Sequence, residues 1–182
     1  DNELCFRSAV DLAIDIREKT LSPVEVIQNA LLRIEEVNPL LNGFCFVYAD
    51  EAIEQARRAE RDVLTGKVVG PLHGIPFAIK DFTPTSGKRT TLGSKVFEHW
   101  VPSNDPPLVE RLLRAGGIMI GKTTTPEFAH SSFTESPLWG PTRNPWNPSC
   151  TAGGSSGGSA VAVATGCVPL AEGSDAGGSI RI

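Results

Sequence analysis

Apolar residues recur at helical spacing through the first third of the chain. Over Ser8–Lys19 they fall on one face, which predicts a short amphipathic helix. Ser22–Glu25 has the residues of a capping box, with proline at the first helical position. A second helix should therefore begin there, run to about Val37 and stop before Asn38-Pro39. A third helix is predicted over Glu51–Leu64.

Short apolar runs bounded by turn residues predict strands. These runs are Gly43–Val47, Gly70–Asp81 and Ile118–Ile120. The last one follows a predicted helix over Pro107–Ala115 and a Gly-Gly pair, and a helix, a turn and a buried strand make half of an α/β unit. We therefore predict an α/β fold in which residues 1–66 form a helical cap and residues 67–182 form the body.

Composition narrows the class of protein. The chain has 182 residues, of which 40% are apolar and 21% charged, and this excludes a disordered or fibrous chain. The net charge of −4 gives no general attraction to nucleic acid or to an anionic membrane. No apolar run reaches the length of a membrane span, and no signal peptide is visible. The four scattered cysteines indicate reduced, buried thiols in a cytoplasmic protein.

Two short motifs match catalytic patterns in the wrong context. Gly116–Thr123 fits the phosphate-binding pattern GxxxxGK[ST], but a helix precedes it and its interior is apolar. We interpret it as a strand with Lys122 at its exposed end, and keep a nucleotide-binding module as the alternative of another class. Gly154–Gly158 fits GxSxG, but that motif needs a strand before it and a later histidine. All the histidines precede it: His73, His99 and His130.

Two clusters of glycine and serine lie near the end of the chain, Gly153–Ser159 and Gly173–Ser179, joined by the apolar segment Ala160–Leu170. They predict two serine-bearing loops that meet at one site. A serine nucleophile needs a base, and lysine replaces histidine in known variants of the triad.

Lys80 is the candidate base because it ends the apolar run GIPFAIK. Burial there should lower its pKa from about 10.4 towards 7–8. From the residues alone, a lysine at a strand end or paired with Asp81 is an equally good interpretation.

The motifs GIPFAIKD, GGSSGGSA and GSDAGGSIRI occur in this order, together with LVERLLRAGGIMIGKTTT, PEFA and GPTRNPWNP. In sequence and spacing they resemble the amidase signature family, and the resemblance covers most of the chain. It implies a mixed sheet and an amide hydrolase with a Ser–Ser–Lys triad and no metal or organic cofactor. Family members are much longer, so we expect this chain to be the N-terminal portion of such a protein.

The resemblance also implies roles for individual residues. Ser179 would be the nucleophile, Ser155 the bridging serine, which precedes a cis peptide bond, and Lys80 the base. Backbone N–H groups in a tight turn would form the oxyanion hole: Ala176, Gly177, Gly178 and Ser179. Supporting roles fall to Ser156, Asp175 and Arg181. The substrate pocket would be bordered by Phe128, Ala129, His130 and Ser131.

The expected partner is a small-molecule amide, with no nucleic acid and no membrane, and a homodimer stays open. The nearest rival is the A subunit of a glutamine-dependent aminoacyl-tRNA amidotransferase, which has a similar fold and passes ammonia to an aminoacyl-tRNA. Activity only in the presence of partner subunits would distinguish the rival from a hydrolase.

Overall fold

Helices and short strands alternate along the computed structural model, which describes residues 2–67 and 69–182. The helices are α1 (Asn2–Cys5), α2 (Ala9–Arg17), α3 (Pro23–Leu41), α4 (Ala49–Leu64), α5 (Pro107–Arg114) and α6 (Gly157–Ala164). The strands are β1 (Phe44–Val47), β2 (Pro76–Lys80), β3 (Ile118–Thr123), β4 (Glu135–Ser136), β5 (Gly140–Pro141) and β6 (Leu170–Ala171). Two 3₁₀ turns cover Lys95–Phe97 and Glu127–Ala129.

The main sheet is mixed, as expected, with the strand order β1-β3-β2-β6. β2 runs parallel to β3 and β6, whereas β1 is antiparallel to β3. In the β2–β3 register Lys80 pairs with Thr123, and Ile79 pairs with Lys122. Successive side chains of a strand point to opposite faces. Lys80 and Lys122 therefore lie on opposite faces of the sheet.

Helices α3 and α4, from the region predicted to form a helical cap, pack directly on the sheet. One apolar cluster joins the helices α3, α4 and α6 to the strands β2 and β3. Both of these strands are buried along their whole lengths. Members of this cluster include Ile27, Ile34, Ala56, Ala78, Ile120 and Val161. The capping box at Ser22 is present: Ser22 Oγ accepts from the Val24 N–H at 2.9 Å, and Glu25 accepts from the Ser22 N–H at 3.1 Å. No described helix has the length and apolar character needed to cross a membrane.

The predicted end of α3 is wrong, because the helix continues through Asn38-Pro39 to Leu41. A proline in the last turn removes only one helical hydrogen bond. The Asn38 side chain accepts from the Phe44 N–H at 2.8 Å and donates to the Phe44 carbonyl at 3.1 Å, which fixes the turn into β1. Asn42, in the left-handed region with φ 54°, ends the helix.

Two predicted strands have other lengths in the structure. Only Pro76–Lys80 of the run Gly70–Asp81 is a strand, because Gly70–Gly74 forms a turn against the residues that follow α5: the Gly74 N–H donates to the Gly116 carbonyl at 3.0 Å. Conversely, the strand predicted over Ile118–Ile120 continues to Thr123. The cysteines are free thiols, but Cys150 is exposed and only Cys167 is fully buried.

Candidate active site

Lys80 ends β2 inside a group of serine hydroxyls. Its side chain is fully buried. The ammonium Nζ donates to Ser155 Oγ at 2.7 Å, to Ser174 Oγ at 2.9 Å and to Ser156 Oγ at 3.0 Å. The strand therefore brings the predicted base into contact with the predicted bridging serine, 75 residues later in the chain. We call these four residues the Lys80 cluster.

Burial lowers the pKa of Lys80 to about 8, because the charged form loses its hydration. The carboxylates of Glu172 and Asp175 oppose the shift by stabilising the ammonium. With a pKa of that size, roughly a tenth of the Lys80 population is neutral at pH 7 and half near pH 8. Lys80 can therefore accept a proton near neutral pH, which an ordinary exposed lysine rarely does.

The hydrogen bonds of the cluster restrict where that proton comes from. An ammonium has three N–H donors, and each has a serine oxygen within reach. The Ser156 hydroxyl donates its own hydrogen to the Ser174 carbonyl at 3.1 Å. When Lys80 is neutral, its lone pair therefore accepts a hydrogen bond from the hydroxyl of Ser155 or Ser174. Ser155 makes the shortest of the three contacts.

The loop that carries Ser155 is held from both sides by Thr134. Thr134 Oγ1 donates to the Gly153 carbonyl at 2.7 Å and accepts from the Gly157 N–H at 3.1 Å. The Gly154–Ser155 peptide bond is cis. It lies before Ser155, so the expectation of a cis bond following this serine is wrong by one residue.

The glycines after Ser155 allow α6 to pack closely on the protein itself. A Cβ added to Gly157 would lie 2.3 Å from Thr134 Oγ1, and one on Gly158 would lie 2.4 Å from the Thr124 nitrogen. Such distances are far inside van der Waals contact. These two glycines therefore serve helix packing beside the cluster.

Ser179 is bound to the cluster through its backbone. Its carbonyl accepts from the Ser156 N–H at 3.0 Å, and the residue is half-buried. Its hydroxyl has no hydrogen-bond partner in the described part of the chain, so the predicted contact with Ser155 is not formed in this structure. The turn around Ser179 is ordered by Asp175, which pairs with Arg181 through two hydrogen bonds of 2.9 and 3.0 Å.

Asp175 also occupies one of the donors of the predicted oxyanion hole. Asp175 Oδ1 accepts from the Gly178 N–H at 2.7 Å, so this donor is already occupied, contrary to the expectation for Gly178. Within residues 2–67 and 69–182, three of the predicted donors have backbone N–H groups without a partner: Ala176, Gly177 and Ser179.

The predicted pocket residues lie on an exposed loop. Phe128 and Ala129 both have φ 54°, and the Phe128 ring packs edge-on against Phe97 with the ring centroids 6.2 Å apart. His130 and Ser131 are exposed. No hydrogen bond joins these residues to the Lys80 cluster in the part of the chain that the structure describes. Their place at a substrate pocket therefore stays a prediction.

A second buried lysine, Lys122, lies on the other face of the sheet and is fully buried, so the prediction of an exposed strand end is wrong. Its Nζ donates to Thr90 Oγ1 at 2.6 Å and to the Thr83 carbonyl at 2.9 Å, and lies 3.7 Å from Asp81 Oδ1. Asp81 in turn accepts from the Thr91 N–H at 3.1 Å. This segment is a strand with an internal ion pair, and it lacks the loop that a phosphate site needs.

Sequence reasoning missed Ser174 and Glu172. Ser174 belongs to the second glycine and serine cluster, so its residue type and position were available as a signal. Glu172 is half-buried, accepts from the Lys80 N–H at 3.0 Å, and lies outside that cluster in the sequence. Nothing in the local pattern distinguishes it from a surface glutamate.

A small cavity of about 180 Å³ opens beside Ser156 and Gly173. A larger one of about 640 Å³ lies between α3 and the segment 143–148, and none of its lining residues belongs to the Lys80 cluster. We propose the cluster and not the larger cavity as the place of the chemistry, because the cluster holds a buried amine in contact with three hydroxyl groups. The described residues contain no group of three or more His, Cys, Asp or Glu side chains suited to a metal ion.

The fold agrees with comparisons to known proteins. The Amidase family profile matches residues 25–182, and the chain belongs to this family. It is 46% identical over 180 residues to the A subunit of the glutamyl-tRNA(Gln) amidotransferase of Acidothermus cellulolyticus, covering 99% of this chain and 36% of the relative. It is 41% identical over 182 residues to an acylamidase of Rhodococcus erythropolis, covering 100% of this chain and 38% of that protein.

A solved structure gives the same result for the fold. A bacterial aryl acylamidase described as belonging to the amidase signature enzymes superposes with a TM-score of 0.92 at 36% identity, covering 97% of this chain and 37% of the other. This chain thus spans 36–38% of the length of these proteins.

Proposed function

We propose that this chain carries the catalytic centre of an amide hydrolase, which cleaves a carboxylic amide C–N bond through a serine acyl-enzyme. The observation that carries the proposal is the buried Lys80 amine, 2.7 Å from Ser155 Oγ and surrounded by hydroxyl groups. A neutral amine in contact with a hydroxyl is the arrangement that activates a serine without histidine.

The proposed reaction begins with a proton relay. Neutral Lys80 accepts the proton of Ser155 Oγ, and Ser155 accepts the proton of Ser179 Oγ. Ser179 Oγ then attacks the amide carbonyl carbon, and the carbonyl electron pair moves to oxygen. The tetrahedral intermediate collapses as the C–N bond breaks, and the relay returns its proton to the leaving amine. Water, deprotonated by the same relay, releases the carboxylic acid and frees Ser179.

Ser179 suits the role of nucleophile because it combines an anchored backbone with a free hydroxyl. The hydrogen bond from the Ser156 N–H fixes the Ser179 carbonyl next to the cluster. In the proposed mechanism, a change of the Ser179 χ1 rotamer brings Oγ to Ser155. The partnerless N–H groups of Ala176, Gly177 and Ser179 are the proposed donors to the oxyanion, each worth about 3–4 kcal/mol in the transition state.

The second candidate is the A subunit of a glutamine-dependent amidotransferase, because one relative at 46% identity is the A subunit of a glutamyl-tRNA(Gln) amidotransferase. The same serine would form the acyl-enzyme on glutamine and water would release glutamate, while the ammonia set free when the C–N bond breaks would pass to an aminoacyl-tRNA. Glutamine hydrolysis that depends on partner subunits, together with no turnover of simple amides, would favour this candidate.

The test traps the acyl-enzyme in the full-length protein. A panel of aliphatic, aryl and peptide amides is mixed with the protein, quenched in acid and analysed by intact mass and peptide mapping. We expect an acyl adduct on Ser179 that is absent in Ser179→Ala and unchanged in Ser149→Ala, an exposed serine outside the cluster. Wild-type turnover by Ser179→Ala, or an adduct on another residue, would contradict the proposal.

A further inference from the structure

Glu172 interrupts the regular hydrogen bonding between β2 and β6. The Glu172 N–H donates to the Ala78 carbonyl at 2.8 Å, as a parallel ladder requires. The next bond of that ladder would join the Lys80 N–H to the Glu172 carbonyl. Instead, this carbonyl accepts from Ser159 Oγ at 2.6 Å, and the Glu172 carboxylate oxygen Oε2 accepts from the Lys80 N–H at 3.0 Å. The Glu172 carboxylate thus takes the place of the Glu172 carbonyl as the acceptor for the N–H of Lys80, the proposed base.

The second carboxylate oxygen is also engaged. Oε1 accepts from Thr83 Oγ1 at 3.1 Å, so both oxygens act as acceptors, as they do in an ionised carboxylate. Burial raises the pKa of Glu172, while the bonds from the Lys80 N–H and Thr83 and the charges of Lys80 and Lys122 oppose that rise. As an ionised carboxylate, Glu172 places a half-buried negative charge at the backbone N–H of Lys80.

Of the charged residues around Lys80, few besides Glu172 can stabilise its ammonium group. Asp175 also stabilises the Lys80 ammonium, but it is paired with Arg181. Helix α6, on the same face of the sheet, has no charged residue. Asp81 and Lys122 pair with each other on the opposite face. The acidic residues of α3 are exposed: Glu25, Glu35 and Glu36.

We propose that Glu172 is a positioning residue for Lys80: its carboxylate holds the Lys80 backbone N–H, and its negative charge stabilises the ammonium group from beyond ion-pair distance. This inference rests on the proposed function, in which neutral Lys80 is the base. Glu172 touches no reacting atom; it acts through Lys80. Ser174, two residues later, binds the Nζ of the same lysine, so one segment holds Lys80 at both ends. The carboxylate would thus set the pH at which the base becomes active.

The test measures the rate at which a fluorophosphonate labels the nucleophilic serine, since this probe needs no knowledge of the substrate. Rates are determined between about pH 6 and pH 10 in the full-length protein, with Glu172→Gln, Glu172→Leu and Glu110→Gln; Glu110 is an exposed glutamate on α5. For wild type, the rate should rise with pH as Lys80 loses its proton, with a midpoint near the pKa of about 8.

Glu172→Gln separates charge from geometry. Its amide oxygen can accept from the Lys80 N–H, and its amide nitrogen can donate to Thr83 Oγ1, so the hydrogen bonds persist without the charge. The Lys80 ammonium then loses stabilisation and releases its proton at lower pH. We expect the midpoint to move down by about half a pH unit or more, with a plateau within about threefold of wild type. An unmoved midpoint would overturn the electrostatic role.

Glu172→Leu removes charge and hydrogen bonds together, and we expect its plateau rate to fall about tenfold or more. A plateau equal to wild type would overturn the positioning role. If this variant fails to fold, the midpoint of Glu172→Gln alone decides the inference. Glu110→Gln should match wild type in both quantities. Absence of labelling at Ser179 in the wild type would contradict the proposed function itself, which keeps the two failures distinct.

Discussion

Lys80 and Lys122 are two fully buried lysines on adjacent parallel strands, and their surroundings differ. The Lys80 amine is bound by hydroxyl groups of Ser155, Ser156 and Ser174. The Lys122 amine has a carbonyl, a threonine hydroxyl and the carboxylate of Asp81 at 3.7 Å. Burial lowers the pKa of both, and the strongest opposing charge is Asp81 for Lys122 and Glu172 for Lys80.

The surroundings of the two amines indicate which buried lysine is suited to proton transfer. Hydroxyl groups serve both forms of an amine, since they accept from the ammonium and donate to the lone pair. A carboxylate and a carbonyl only accept, so they favour the ammonium and disfavour the neutral amine. We therefore assign the proton transfer to Lys80, and a structural role to Lys122. The two roles predict opposite effects on activity and stability.

The largest expected effect comes from Lys80→Met. Loss of the base should lower kcat/KM by about 10³-fold or more. Folding should be preserved, because methionine fills most of the volume and removes a buried charge that disfavours the native state. Activity is followed with an amide substrate from the panel and stability by thermal unfolding. Activity retained within tenfold of wild type would reverse the assignment of the two lysines.

Lys122→Met should show the opposite pattern, a large loss of stability with a smaller loss of rate per folded molecule. It leaves the buried Asp81 carboxylate without its partner, and breaking such a pair costs about 3–5 kcal/mol. Chemical denaturation measures the free energy of unfolding. The control is Asp81→Asn combined with Lys122→Met, which should recover part of the loss because no unpaired charge remains. A single variant as stable as wild type would show that the pair is not structural.

The sequence predicted one of these lysines far better than the other. The run GIPFAIK indicated a buried strand, so the burial of Lys80 followed from its neighbours. Lys122 precedes three threonines, which look like a polar turn, yet all three are buried beside α6 and the segment 134–142. Its partner Asp81 is 41 residues away, and local periodicity carries no information about contacts at that separation.

The residues of the candidate site also differ in how well the sequence predicted them. The resemblance to the amidase signature family predicted the contact between Lys80 and Ser155, whereas the residues alone left a lysine at a strand end or paired with Asp81 as an equally good interpretation. The roles of Ser174 and Glu172 depend on how the segment after β6 turns back over the end of β2, which residue types do not specify. The end of α3 was misplaced for a different reason, since hydrogen bonds between the Asn38 side chain and Phe44, six residues later, outweighed the local signal of Asn-Pro.

The smallest effects should come from a matched pair of variants that remove one hydroxyl from each lysine. Ser174→Ala removes the acceptor 2.9 Å from Lys80 Nζ, and Thr90→Val removes the acceptor 2.6 Å from Lys122 Nζ. Ser174→Ala should change kcat by less than about tenfold and leave the free energy of unfolding within about 1 kcal/mol, because two hydroxyls still bind the amine. Thr90→Val should leave kcat within about twofold and cost about 1–3 kcal/mol of stability, because a buried N–H loses its closest acceptor. The two variants are to be measured side by side. If both change rate and stability equally, the hydroxyl groups around the two lysines have the same role. The distinction between base and structural lysine would then rest on Asp81 alone.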